Sequence, residues 1–183
     1  GYGKPTGNVN FWDNNGYGSG GTLDMSGNAL SPPLTQIPAG AHSITVGYSG
    51  DNSFSNSANL TPINFTISQV ATSTALTAQQ TAQSLTLTAT VSASGNSSPP
   101  TGPITFSNGS TVLATVYLGN GASVGGTTQA TATFDGTQLA AGQYSITASY
   151  PGDTNYTPSN STAVPLNLVS DFGVYSRGIL SQT

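Results

Sequence analysis

Few side chains in this sequence can act as acids, bases or metal ligands. One histidine, His42, and six aspartates (Asp13, Asp24, Asp51, Asp135, Asp153 and Asp171) stand beside two cations, Lys4 and Arg177; glutamate and cysteine are missing. A Ser-His-Asp relay needs a histidine held by a carboxylate. His42 is the sole candidate, and a repeated segment gives it a structural place instead. Paired-carboxylate hydrolysis needs two acids at a matched separation, whereas these aspartates are scattered over turns. Zinc has one histidine and no thiolate to bind. Calcium is the better metal option, because Asp13-Asn14-Asn15-Gly16 and the turns at Asp51 and Asp153 offer oxygen ligands. Against it stands the ordinary role of aspartate in a turn, bonding its own backbone two residues on. The glycine-rich stretch 16–21 lacks the lysine and helix of a phosphate loop. The expectation is a chain with no catalytic residues, no cofactor and no metal.

Binding chemistry is more promising. Val9 and Phe11 alternate onto one face of a strand, which leaves Trp12 outward near Tyr17. Such an aromatic pair can fold over its own loop, pack on a neighbouring domain or subunit, or stack on sugar rings. Glycans are therefore a possible partner. Nucleic acid is not, since a net charge of -4 with two cations leaves no phosphate-binding surface. No apolar run approaches the roughly 20 residues of a membrane span, so no membrane insertion is expected. Charged residues make up 4% of the chain, against about 25% in an ordinary domain. Acid would then change the net charge little, which points to an exposed outside location. Gly1 in place of an initiator Met reads as a processed or excised start. Asn-x-Ser/Thr sequons at Asn59, Asn64, Asn96, Asn108, Asn155 and Asn160 follow from the abundance of those residues.

The elements that carry these residues occur twice. Residues 37–54, IPAGAHSITVGYSGDNSF, return as residues 139–156, LAAGQYSITASYPGDTNY. PTGNVNFWDN at 5–14 returns as PTGPITFSNG at 100–109. A repeat sets the architecture before any single residue does. In each copy, Ile44, Val46 and Tyr48 (Ile146, Ala148 and Tyr150) alternate with small or polar residues, the period of a half-buried strand. Residues 14–21 read as a loose loop, Thr22–Met25 as a short strand, and 60–68 as the closing strand of the first copy with Ile63, Phe65 and Ile67 inward. Pro62 there, and Pro165 at the same place in its twin, fit only an edge. Residues 84–93, SLTLTATVSA, form the cleanest alternation in the chain. Further strands are expected at 74–78, 103–107, 110–118, 129–134 and 163–169, with 69–72 as linker. Short strands, turns and no helical period predict an all-β chain of two tandem antiparallel sandwiches, 1–69 and 70–169.

This pattern, PTG-x-V-x-F followed by AG-x-H/Y-S-I-T-x-x-Y-x-GD-x-x-Y/F, resembles the bacterial immunoglobulin-like repeat family. The resemblance spans both copies. It implies tandem extracellular or cell-surface modules that act as spacers without catalytic residues. It also implies that Tyr144 fills the tyrosine corner, with His42 in that place in the first copy. Ile44 and Ile146 stand where antibody domains put a cysteine. One departure stands out. The second copy has about 30 residues before its Pro-Thr-Gly strand, and the first has four. The first copy is thus expected to lack its opening strands, exposing apolar surface and unpaired backbone. Residues 170–183 run past the second copy. In them Phe172, Val174 and Leu180 share one parity, and Tyr175 and Ile179 the other. This tail is a candidate donor strand, completing the first copy of the next chain head to tail in a filament. The other reading makes the chain a rigid spacer or adhesion segment beside neighbouring domains of a longer surface or secreted protein, its tail opening the next domain. A carbohydrate-binding module is the third.

Overall fold

The computed structural model describes residues 3–81, 84–95 and 98–169, without the Leu60 side chain. The tail residues Phe172, Val174, Tyr175, Ile179 and Leu180 lie outside the described residues. The chain divides into two compact units, Gly1–Ser68 and Gln69–Thr183.

The first unit holds β1 (Asn8–Asp13), β2 (Gly18–Thr22), β3 (Gly40–Tyr48) and β4 (Ser57–Ile67). They form one antiparallel sheet in the order β2-β1-β3-β4. The loop expected over 14–21 is instead a hairpin. Gly16 takes a positive φ of 87° in the turn, the Asp13 N–H donates to the Tyr17 carbonyl at 2.7 Å, and β2 pairs Gly18 with Trp12. Its GSGGT sequence carries no hydrophobic period, so nothing but the backbone of β1 marks it as a strand. The strand expected at Thr22–Met25 ends at Thr22, because Asp24 starts a tight turn and accepts the N–H groups of Ser26 and Asn28. The connection onward to β3 carries no strand. It runs beside β2, where the Ser19 and Ser31 hydroxyls meet at 2.6 Å.

The second unit holds β5 (Thr72–Gln80), β6 (Leu85–Ser94), β7 (Pro103–Asn108), β8 (Thr111–Tyr117), β9 (Ala122–Val124), β10 (Thr127–Asp135), β11 (Gly142–Tyr150), β12 (Ser159–Asn160) and β13 (Val164–Leu168). One sheet runs β5-β6-β10-β9; the other runs β12-β11-β7-β8, with β13 also on β11. The core lies between them. Leu76, Leu87, Ala89, Val91 and Ala132 of the first sheet meet Ile104, Phe106, Ile146, Ala148 and Tyr150 of the second. In β6 every second residue from Leu85 to Ala93 is buried, as its alternation of apolar and hydroxyl side chains demands. The expected linker belongs to this unit: the Val70 N–H donates to the Asn155 carbonyl, and the Val70 carbonyl accepts from Thr157.

Both prolines lie on edges, although not at equivalent places. Ile63 pairs with Ile44 and Val164 with Ile146. Pro62 thus precedes the shared position, where the register of β3 and β4 shifts, and Pro165 follows it.

Candidate functional site

Three local devices repeat between the units and show which residues are structural. The first joins the Pro-Thr-Gly turn to the Gly-Asp turn. One Asp51 oxygen accepts the Thr6 N–H at 2.7 Å and hydroxyl at 2.9 Å; the other accepts the Ser53 and Phe54 N–H groups, both at 2.8 Å. Asp153 makes the same four contacts, with Thr101, Asn155 and Tyr156. These donors, the Thr6 N–H foremost, hold the Asp51 carboxyl far below the usual carboxylate range. Burial pushes Asp153 up, but the Thr101 and Asn155 N–H groups outweigh it and leave it lowered. With four donors on two oxygens, these carboxylates are engaged as turn staples and present poor ligands to a cation.

The second device is the corner. The Tyr144 hydroxyl donates to the Ala140 carbonyl, four residues upstream, at 2.9 Å. His42 makes the same reach with Nε2 to the Pro38 carbonyl at 3.0 Å. Its Nδ1 lies 2.8 Å from Asp13 Oδ2 and 3.3 Å from the Asn15 amide. His42 is 2% and Asp13 6% exposed. The hydrogen bond to Asp13 raises the His42 pKa against the opposing effect of burial, and the Pro38 carbonyl adds to it. Burial pushes Asp13 up, but the His42 and Ser43 bonds prevail and lower it. Two ring nitrogens that both face acceptors favour the imidazolium. In the second unit the place of Asp13 is taken by Asn108, which accepts the Ser145 N–H at 2.9 Å. A neutral corner there is an ion pair here. The sequence placed His42 at the corner; its partner Asp13 was read as a calcium candidate, and no nearby signal links residues 13 and 42.

The third device is the inner sheet face, where the units part. Aligned by register, Phe11, Ile44, Val46, Tyr48 and Ile67 of the first unit match Phe106, Ile146, Ala148, Tyr150 and Leu168 of the second. The second set is buried throughout. All of the first set are only half-buried, and Val9 is the one buried apolar residue described in the unit. Further along β4, Ile63 is 64% exposed and Phe65, stacked on the His42 ring at 5.3 Å, is 36% exposed. The described residues provide no second sheet over this face.

On the outer face Trp12 lies over Gly47 of β3, where an added Cβ would fall 2.7 Å from the indole. Asn10, Trp12, Gly47, Ser49 and Asn56 line a shallow groove there, and Tyr17 does not. Trp12 and Tyr17 are each exposed and both stand at the turn end of the hairpin, but the groove beside Trp12 does not include Tyr17. No group of three metal-ligating acidic or histidine side chains occurs among the described residues.

The comparisons agree with this geometry. No curated protein and no solved structure gives a significant match. The profile of the bacterial Ig-like domain (group 3) matches residues 1–68 and again 71–169, most of the chain in two segments. Repeated turn staples, repeated corners and a closed two-sheet unit all fit that assignment, and the chain belongs to the bacterial Ig-like domain family.

Proposed function

We propose that the chain is a non-enzymatic structural module of an extracellular assembly of Ig-like domains. Its first sheet is the acceptor in that assembly, covered by β-strands that come from elsewhere. The observation behind this is the half-open inner face: residues that the second unit seals are left against water in the first. Covering a side chain of this size contributes about 1.5–3 kcal/mol, so several together reward a complementing strand strongly. In the head-to-tail form, residues 170–183 of one copy serve the next copy, and closure propagates as a fibre. In the second form, a neighbouring domain of a larger cell-surface or secreted protein supplies the strands, and the chain is a rigid spacer or adhesion segment. The tandem family match favours this second form.

Sedimentation velocity and negative-stain images of the chain, with and without residues 170–183, separate the two. Head-to-tail assembly gives concentration-dependent oligomers that vanish on truncation. A monomer at all concentrations, whose first unit melts higher when a complete Ig-like domain is fused ahead of it, supports the spacer. A first unit that gains nothing from the tail or from the fusion refutes the acceptor reading.

A further inference from the structure

Among the described residues Trp12 is the one aromatic side chain on the outer face of the first sheet, and it lies against Gly47. Trp12 is the only tryptophan in the chain and is 49% exposed. Its six-membered ring rests against Gly47, where any side chain would collide with it. Gly18, its register partner on β2, lies 3.5 Å from the indole at the position of a Cβ. Gly20 lies under the Asn10 amide oxygen, 3.0 Å away on the same measure. Glycine at both edges of the indole, Gly18 at the five-membered ring and Gly47 at the six-membered ring, leaves it room to lie across the sheet. The second unit shows that the fold has no need of this. There Ser107 and Ser149 hold the places of Trp12 and Gly47, a paired change from large and absent to small and small. Asn10 and Asn56 line the same groove, and among the described residues no hydrogen bond engages either side-chain amide. No charged side chain lines the groove.

We propose that this groove binds a neutral saccharide, with a gluco-configured pyranose stacked on the outward face of Trp12 and its hydroxyl rim on the Asn10 and Asn56 amides. An all-equatorial pyranose presents only axial C–H groups on each face, which suits a flat, electron-rich ring. Its hydroxyls need neutral donors and acceptors at the edge, which amides supply in both senses. The lack of charge disfavours uronate, phosphate or sulfate groups. A galacto ring, whose axial C4 hydroxyl blocks one of its two faces, stacks less readily than a gluco ring, which is free on both. This inference stands apart from the structural role, since it uses the opposite face of the sheet.

Because Trp12 is the sole tryptophan, intrinsic fluorescence reports the site directly. The full chain is titrated with β-1,4-linked glucose and N-acetylglucosamine hexamers, and with a galacto-configured hexamer as control. A saturable change is expected with the gluco-configured sugars, with a dissociation constant at least tenfold lower than for the control. Asn10→Ala with Asn56→Ala should weaken it tenfold or more while leaving both melting transitions unchanged. Gly47→Ser should abolish it by lifting the indole. No saturable change with any sugar overturns the proposal. So does emission that shifts with protein concentration alone, which would make the groove a protein contact. Undiminished binding by Trp12→Ala, read by titration calorimetry, overturns the stacking geometry.

Discussion

The two units share their turns and their corner and differ in what lies across from them. In the second, Phe106, Ile146 and Ala148 face a full sheet built from β5, β6, β10 and β9. In the first, Phe11, Ile44 and Val46 face no sheet among the described residues and remain half-buried. The same local sequence thus makes the same strands in both units, because strand formation follows alternation, turn residues and pairing with the adjacent strand. Core formation does not follow from these; it needs a partner layer. The lesson is that PTG-x-V-x-F and AG-x-x-S-I-T specify one sheet of a sandwich, and that closure is encoded elsewhere.

The largest test of that contrast is a matched truncation. Phe106→Ala removes a fully buried ring and should destabilise the second unit by about 3–5 kcal/mol, lowering its melting transition by roughly 15 °C or more. Phe11→Ala, at the same place in the first unit, should cause less than half that loss. Equal losses, read by calorimetry, would mean that the first unit is as well packed as the second.

Alkaline pH should divide the units next. The folded pKa of His42 lies above its ordinary value of 6.5, so its contribution is complete below pH 6.5 and is lost as pH rises through the folded value. The groups facing His42 are Asp13, Asn15, the Pro38 carbonyl and the Phe65 ring, and only Asp13 carries charge. The transition of the first unit should therefore fall by several degrees between pH 6 and 9, while that of the second, which has no histidine, stays level. His42→Tyr together with Asp13→Asn should reproduce the neutral corner of the second unit and flatten the profile. A wild-type profile already flat over that range would contradict the ion-pair corner.

Acid should not divide them. Asp13, Asp24, Asp51, Asp135 and Asp153 all have lowered pKa values. Their contributions are present above the unfolded value of 3.8 and are lost only as pH falls through the folded values. Both transitions should hold between pH 6 and 4 and decline below that. A steep loss above pH 4 would show that the carboxylates are not held as described.

The smallest effect is expected at the edges. Pro62→Ala and Pro165→Ala should each cost under about 1 kcal/mol, through the unfolded chain. A larger loss at Pro62 alone would mean that the shifted register between β3 and β4 depends on it.

Much of this was legible in the residues. The alternation in 84–93 located β6, and the repeat located β1, β3, β7 and β11; the corner at Tyr144 and His42 came only with the resemblance. Three strands were not legible, for physical reasons. β2 is mostly glycine and owes its structure to pairing with β1, while β9 and β12 span three and two residues, too few to show a period. The Asp13–His42 pair joins strands whose contact no sequence spacing reports. The outer groove has no signature in the sequence, because Gly47 acts by lacking a side chain, and the closeness of Trp12 and Tyr17 along the chain suggests a grouping that the groove does not have.

The central claim is that the first sheet awaits a covering layer which the second unit already possesses. Amide hydrogen exchange of the isolated chain at pH 6 measures this at matched strands, β3 over 40–48 and β11 over 142–150. The account predicts that β11 is protected by at least a hundredfold more than β3, a difference of about 2.7 kcal/mol in opening free energy. Equal protection of the two strands, with residues 170–183 removed, would contradict it.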